Sequence, residues 1–166
     1  TTPMVFVAKS EVRGWPAFGW FARRAGTIFL RRARRWDVER VTREIRDALA
    51  AGQVVMLFPE GTSSDGRQVL PFRSSLLEAA CGHIGGVHPA TVSYAMQDGQ
   101  VERDICYYGE MTLLPHLLNL MTKRHVRAQV RFGPALAAED GRKELARRLQ
   151  AEVLRLKETA CAGLLP

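Results

Sequence analysis

The 166-residue sequence has few cysteines, no long apolar run and no low-complexity tract, and each lack removes a class of function. Its three cysteines, Cys81, Cys106 and Cys161, are odd in number and too widely spaced for a disulfide framework or a zinc site. That usage fits a reduced, cytosolic compartment, and the near pair Cys81 and His83 is too little for metal or thiol chemistry. No apolar run approaches the roughly 18–20 residues of a membrane-spanning helix. No low-complexity tract or internal repeat is visible, and 46% hydrophobic residues exclude a disordered chain. The chain opens on Thr1-Thr2-Pro3, without a methionine or a signal-peptide pattern, the start expected of a fragment or processed product.

What the chain has in excess is positive charge. Twenty-four Lys and Arg against 17 Asp and Glu give a net charge of +7. Such a balance favours anionic partners: lipid headgroups, phosphorylated metabolites or nucleic acid. Arg23, Arg24, Arg31, Arg32, Arg34 and Arg35 crowd around the apolar run Thr27 to Leu30. They are either a solvated basic face or, for one or two of them, an anion site. No zinc finger, RNA-recognition signature or helix-turn-helix pattern accompanies the charge, which argues against nucleic acid as the partner.

The length allows a single domain over 1–166. Met4 to Ala8 reads as a buried strand, Trp15 to Phe21 as an aromatic helix with Pro16 in its first turn, and Thr27 to Leu30 as a second strand. Asp37 is placed to cap a helix carrying Val38, Val41, Ile45 and Leu49 on one face, with Gly52 as its stop. Val54 to Phe58 is apolar throughout, as expected of a strand covered by helices on both faces. Alternating strands and helices predict an α/β fold with a largely parallel central sheet flanked by helices. Downstream, helix is expected over Ser74–Cys81 and Thr112–Met121, and strand over Val87–Ala95, Ile105–Tyr108 and Val126–Phe132. Leu145, Leu149, Val153 and Leu156 mark a closing amphipathic helix.

Three stretches can carry chemistry. Phe58-Pro59-Glu60-Gly61-Thr62 follows a predicted strand at the end where open α/β sheets place their ligands. There Glu60 can accept hydroxyl protons, and the amides of Gly61 and Thr62 can bond an oxygen ligand. The same stretch is equally an ordinary strand-to-loop turn. In Gly26-Thr27-Ile28-Phe29-Leu30-Arg31-Arg32, an arginine just past a strand end can hold a phosphate through its forked donors. Arg31 and Arg32 point opposite ways on an extended chain, so at most one faces the pocket of Glu60. Val87-His88-Pro89-Ala90-Thr91-Val92 says little alone beyond the constraint Pro89 puts on a strand start.

Taken in order, these stretches resemble the conserved blocks of the glycerolipid acyltransferases, the bacterial 1-acyl-glycerol-3-phosphate acyltransferases in particular. Gly26 to Arg32 resembles the second block, Phe58 to Thr62 matches the third letter for letter, and Val87 to Val92 is similar to the proline-centred fourth. Pro71-Phe72-Arg73 resembles the Pro-Phe-Lys after the third block, and Val7 to Glu11 the segment after the first. The motif-bearing part runs from about 5 to 92. Ser74 and Ser75 depart from the glycine that relatives often carry there.

The first block, His-x4-Asp, is absent: positions five beyond His83, His88, His116 and His125 hold His88, Ser93, Met121 and Val130. Truncation ahead of Thr1 is the expected reason.

The resemblance implies a fold of the glycerol-3-phosphate acyltransferase kind and transfer of a fatty acyl group to a lysophospholipid hydroxyl. The donor would be a thioester of acyl-carrier protein or coenzyme A, with no cofactor and no metal. Lysophosphatidic acid is the default acceptor; lyso-ornithine lipid is the rival, and a non-catalytic lipid-binding protein a further one. The implied acceptor-side residues are Gly26, Arg32, Glu60, Gly61, Thr62, Arg73 and Pro89. The implied location is the cytoplasmic face of the bacterial inner membrane, with the aromatic, arginine-flanked segment Trp15 to Phe21 either on the lipid or packed on the sheet.

Overall fold

Three parallel strands carry the first half of the chain. The computed structural model describes residues 3–10, 14, 18–30, 35–139 and 141–163. Strand β1 (Met4–Lys9) lies between β2 (Ile28–Leu30) and β3 (Val54–Met56), with Val7 opposite Ile28 and Val5 opposite Val55. Strand alternation sends Val5 and Val7 to one face, where they join Ile28, Leu30 and Val41 and Ile45 of helix α2 (Arg35–Ala50) in a buried cluster. Each such side chain contributes about 1.5–3 kcal/mol when fully buried. The expected α/β arrangement with parallel strands is therefore present.

The two faces differ in cover among the described residues. On the opposite face Met4 is 44%, Phe6 39% and Val54 45% exposed, and Phe58 beyond β3 is 58% exposed.

Two helix ends show why the chain turns where it does. Helix α1 (Phe18–Arg24) stops in a Schellman arrangement: the Gly26 amide donates to the Arg23 carbonyl and the Thr27 amide to the Ala22 carbonyl. Gly26 has φ +69° there, a value a side chain disfavours. Gly52 ends α2 in the same way at φ +73°, its amide bonded to the Leu49 carbonyl and that of Gln53 to Ala48, as expected of a C-terminal stop. The start of α2 differs from expectation. Asp37 is not the cap but lies within the first turn, 2% exposed, where it accepts from Arg40 Nε at 2.9 Å. The same guanidinium donates to the Phe29 carbonyl at 2.6 Å, tying the end of β2 to α2. Arg40 and Asp37 thus form an ion pair three residues apart on the helix.

The second half builds on a short 3-10 helix, Ser74–Ala80, and an antiparallel pair, β4 (Ala90–Met96) and β5 (Val126–Phe132), in register from Ala90–Phe132 to Met96–Val126. Between them, α3 (Leu113–Met121) accommodates Pro115 in its first turn as predicted. The strand expected at Ile105–Tyr108 is absent. Val101–Ile105 forms a single π turn instead, in which Asp104, 8% exposed, accepts from the Gln100 amide at 2.8 Å. The Cys106 amide closes this turn on the Val101 carbonyl at 3.1 Å instead of pairing with a strand. Helix α4 (Arg142–Gly163) closes the domain as expected, burying Leu145, Leu149, Val153 and Leu156. Its first half forms a second core with Leu77 and Ala138, against which Leu57, Phe72 and Val87 pack. Two motif-bearing stretches, Pro71–Arg73 and Val87–Val92, thus meet on one hydrophobic cluster with Leu57, which immediately precedes a third.

Candidate acceptor site

Parallel pairing makes β2 and β3 release the chain from the same edge of the sheet. From β3 it enters the turn Phe58-Pro59-Glu60-Gly61, closed by the Gly61 amide on the Phe58 carbonyl at 3.0 Å. Proline suits the second position, having φ fixed and no donor to lose, and Gly61 supplies φ +72° at the exit, where it is buried. The turn holds Glu60 half-buried at the sheet edge.

Glu60 is not an idle surface acid. Burial pushes its carboxyl above the ordinary 4.5, offset in part by the Leu70 amide, which donates to it, and by the charge of Lys157. Such a group can accept from a hydroxyl when ionised. The loop from 62 to 72 then folds back: the Arg73 amide donates to the Pro59 carbonyl at 2.8 Å, setting Pro71-Phe72-Arg73 beside the turn. The Arg73 side chain is exposed, as is that of Thr62, whose hydroxyl has a long contact with the Ser63 carbonyl at 3.4 Å. Helix α4 clamps the loop from outside, with Gln150 Nε2 donating to the Leu70 carbonyl at 3.3 Å and Lys157 Nζ to that of Gly66. Sequence reading missed Leu70, Gln150 and Lys157, and nothing local to any of them signals a neighbour so remote in the chain.

The remaining sequence-derived positions are distributed. Gly26 is exposed, with nothing within 4 Å of where a Cβ would stand, so its visible task is to steer the chain into β2. Arg32, like Trp15, lies outside the described residues. Pro89 is buried where β4 begins, its carbonyl accepting from the Gly133 amide at 2.8 Å, and a Cβ on Gly133 would meet it at 2.9 Å. The Glu60-Gly61 turn and the Arg73 backbone are thus brought together directly, while Pro89 sits against Gly133 at the start of β4.

Among the described residues no group of three or more His, Cys, Asp and Glu can hold a metal ion. Cys81 and Cys106 are free thiols, pushed up above their ordinary value chiefly by burial and so poorly nucleophilic. No described helix is long and apolar enough to cross a membrane.

The family model "Acyltransferase" matches residues 1–95. The chain is 39% identical to a lyso-ornithine lipid O-acyltransferase of Brucella abortus, over 95% of this chain and 64% of that protein. Against the protein of that name from Rhodobacter capsulatus it is 36% identical, over 90% and 56%. A 1-acyl-sn-glycerol-3-phosphate acyltransferase of Neisseria gonorrhoeae shares 40% identity over 59% of this chain and 38% of its own. The crystal structure of the 1-acyl-sn-glycerophosphate acyltransferase PlsC from Thermotoga maritima shares the fold, with TM-score 0.52 at 24% identity, covering 93% of this chain and 57% of that one. The chain spans from about half to two thirds of the length of the relatives it matches nearly end to end. On the match over its motif-bearing half, the chain belongs to the acyltransferase family.

Proposed function

We propose that the chain forms the acceptor side of an enzyme that moves a fatty acyl group from a thioester, of acyl-carrier protein or coenzyme A, to the hydroxyl of a lysolipid. The observation that carries this reading is the Glu60 turn: a half-buried carboxylate at the C-terminal edge of parallel strands, with Arg73 held beside it by a backbone bond. In this scheme Glu60 and Gly61 position the acceptor near its hydroxyl, with Thr62 alongside, while Arg32 and the exposed Arg73 supply cationic donors for its headgroup. A general base takes the hydroxyl proton, and attack on the thioester carbonyl gives an oxyanion that backbone amides stabilise. The reaction needs neither a metal nor a covalent acyl-enzyme.

That base is the histidine of a His-x4-Asp motif, which these 166 residues do not contain. A general base contributes about 10²–10⁴-fold in rate, so the chain by itself is expected to bind acceptor with little turnover. Normal turnover by the isolated chain would overturn this assignment. It would also count against the rival in which the protein binds lipid without catalysis.

Lyso-ornithine lipid is the acceptor we favour, because relatives named for it align over nine-tenths or more of the chain. Lysophosphatidic acid stays as the second reading, supported by 40% identity over the motif-bearing part to an enzyme named for it. Ornithine offers a carboxylate where the glycerolipid offers a phosphate, and an arginine can receive either. Acyl transfer by the full-length enzyme from one donor to each acceptor separates them. Arg32→Ala should raise the acceptor KM at least tenfold more than Arg43→Ala on the exposed face of α2; equal effects would contradict the role of Arg32.

A membrane surface is the proposed setting, on the cytoplasmic face of the bacterial inner membrane. Trp20 and Phe21 of α1 are 54% and 62% exposed, and Arg24 lies over the Trp20 ring at 5.7 Å. Exposed rings with basic neighbours suit an anionic interface.

A further inference from the structure

Helix α3 leaves an apolar stripe exposed to water. Its residues Leu113–Met121 include five leucines and a methionine and no acid or strong base, yet none of them is buried. Leu114, Leu118 and Met121, at helical spacing, are 64%, 55% and 74% exposed. The half-buried Leu113, Leu117 and Leu120 and a tilted His116–Tyr107 ring contact, centroids 5.5 Å apart, face the domain, and polar bonds fix the far end of the helix. Asn119 Nδ2 donates to Asp104 Oδ1 at 2.8 Å, Lys123 Nζ pairs with the same carboxylate at 3.4 Å, and the Arg124 amide donates to Asp98 Oδ2 at 2.9 Å. A soluble domain ordinarily turns its leucines inward and its asparagine outward.

We propose that the stripe Leu114, Leu118 and Met121 lies on an anionic lipid bilayer, with α3 parallel to its surface. Charge selects this occupant. From Met111 to Ala138 the sequence has no acidic residue and carries Lys123, Arg124, Arg127 and Arg131. Arg124 and Arg127 are exposed immediately beyond the helix. Asp98 bonds the Arg124 amide and Asp104 bonds Asn119 and pairs with Lys123, while Glu110 stands exposed ahead of the helix, at the end away from these cations. An apolar stripe along a helix followed by exposed positive charge matches an interfacial helix, which buries its apolar side at the acyl boundary and sets its cations among the headgroups. The inference deepens the membrane-surface reading above and rests on it, assigning the contact to a particular element.

The test is partition of the chain onto sedimentable vesicles of phosphatidylcholine with phosphatidylglycerol, and of phosphatidylcholine alone. Leu114→Ser/Leu118→Ser/Met121→Ser should lower the partition coefficient on anionic vesicles at least tenfold with unchanged circular dichroism, since the three side chains support no core. Arg124→Gln/Arg127→Gln keeps the stripe and should abolish the preference for anionic over neutral vesicles. Val92→Ser/Val130→Ser, on the exposed face of β4–β5, should leave partition unchanged. If the unaltered chain binds but the triple variant binds equally well, the assignment to α3 is overturned and the broader membrane reading survives. If the unaltered chain fails to bind, both fall. If the triple variant instead converts a dimer to a monomer with no change on vesicles, a second copy covers the stripe and the proposal is wrong.

Discussion

The Arg73 amide donates to the Pro59 carbonyl at 2.8 Å, and this one bond joins two motifs that the sequence separates by a polar loop. Arg73 has φ −78°, which proline can adopt, so its amide and its side chain can be removed separately. Arg73→Ala keeps the bond and should change stability by no more than about 0.5 kcal/mol, while weakening acceptor binding. Arg73→Pro also removes the donor and should cost about 1 kcal/mol more in urea denaturation. Equal stability of the two variants would show that the bond does not hold the loop.

Glu60 gives a pH dependence of defined sign. Its folded pKa lies above the ordinary 4.5, so the ionised form is disfavoured in the fold. The penalty is absent below 4.5, where the acid is protonated in both states, and is complete above the folded pKa. Glu60→Gln, whose amide oxygen can still accept from Leu70, should therefore stabilise the protein at pH 7–8, and the gain should vanish towards pH 4. Lys157→Met should deepen the penalty by removing the favourable charge. Melting curves across that range check both. A gain in Glu60→Gln that grew on acidification would contradict the burial of the carboxylate.

Asp104 behaves in the opposite sense. Its pKa falls from 3.8 to about 2, first because the Gln100 amide donates to it, then because Asn119 does. Its contribution to stability is complete above 3.8 and is lost as pH falls towards 2. Asp104→Asn should lower stability at neutral pH, where an amide nitrogen would face one of these donors, and flatten the acid limb of the stability profile. An unchanged acid limb would mean that other carboxylates dominate it.

Gly26 and Gly52 form the same Schellman end with open space around them. Alanine at either position meets only the backbone penalty of positive φ, about 1–2 kcal/mol. Equal losses in Gly26→Ala and Gly52→Ala, with asparagine milder at both, would assign Gly26 to turning the chain. A loss of acceptor binding in Gly26→Ala alone would add a role at the site.

The strand and helix alternation of the first half was legible because periodicity reports burial. Val41 and Ile45 of α2, and Leu145, Leu149, Val153 and Leu156 of α4, are buried as their spacing requires. Asp37 suits a cap by residue type, but the helix begins two residues earlier, at Arg35, and Arg40 pairs with the carboxylate within it. Ile105 to Tyr108 has strand composition, but the capacity of Asp104 to take a local amide is not visible in composition. At the site, the Phe58–Thr62 turn was readable letter by letter. Its support by Leu70 and Lys157 was not, since long-range neighbours depend on how α4 lands on the loop.

The central claim is that Glu60 anchors a lysolipid acceptor. It is tested most directly by calorimetric titration of the chain with monomeric lyso-ornithine lipid and lysophosphatidic acid, alongside Glu60→Ala and the control Glu102→Ala on the π turn. Saturable binding that weakens at least tenfold in Glu60→Ala and is unchanged in Glu102→Ala is the expected result. Equal affinity in all three proteins, for either lipid that binds, would contradict it.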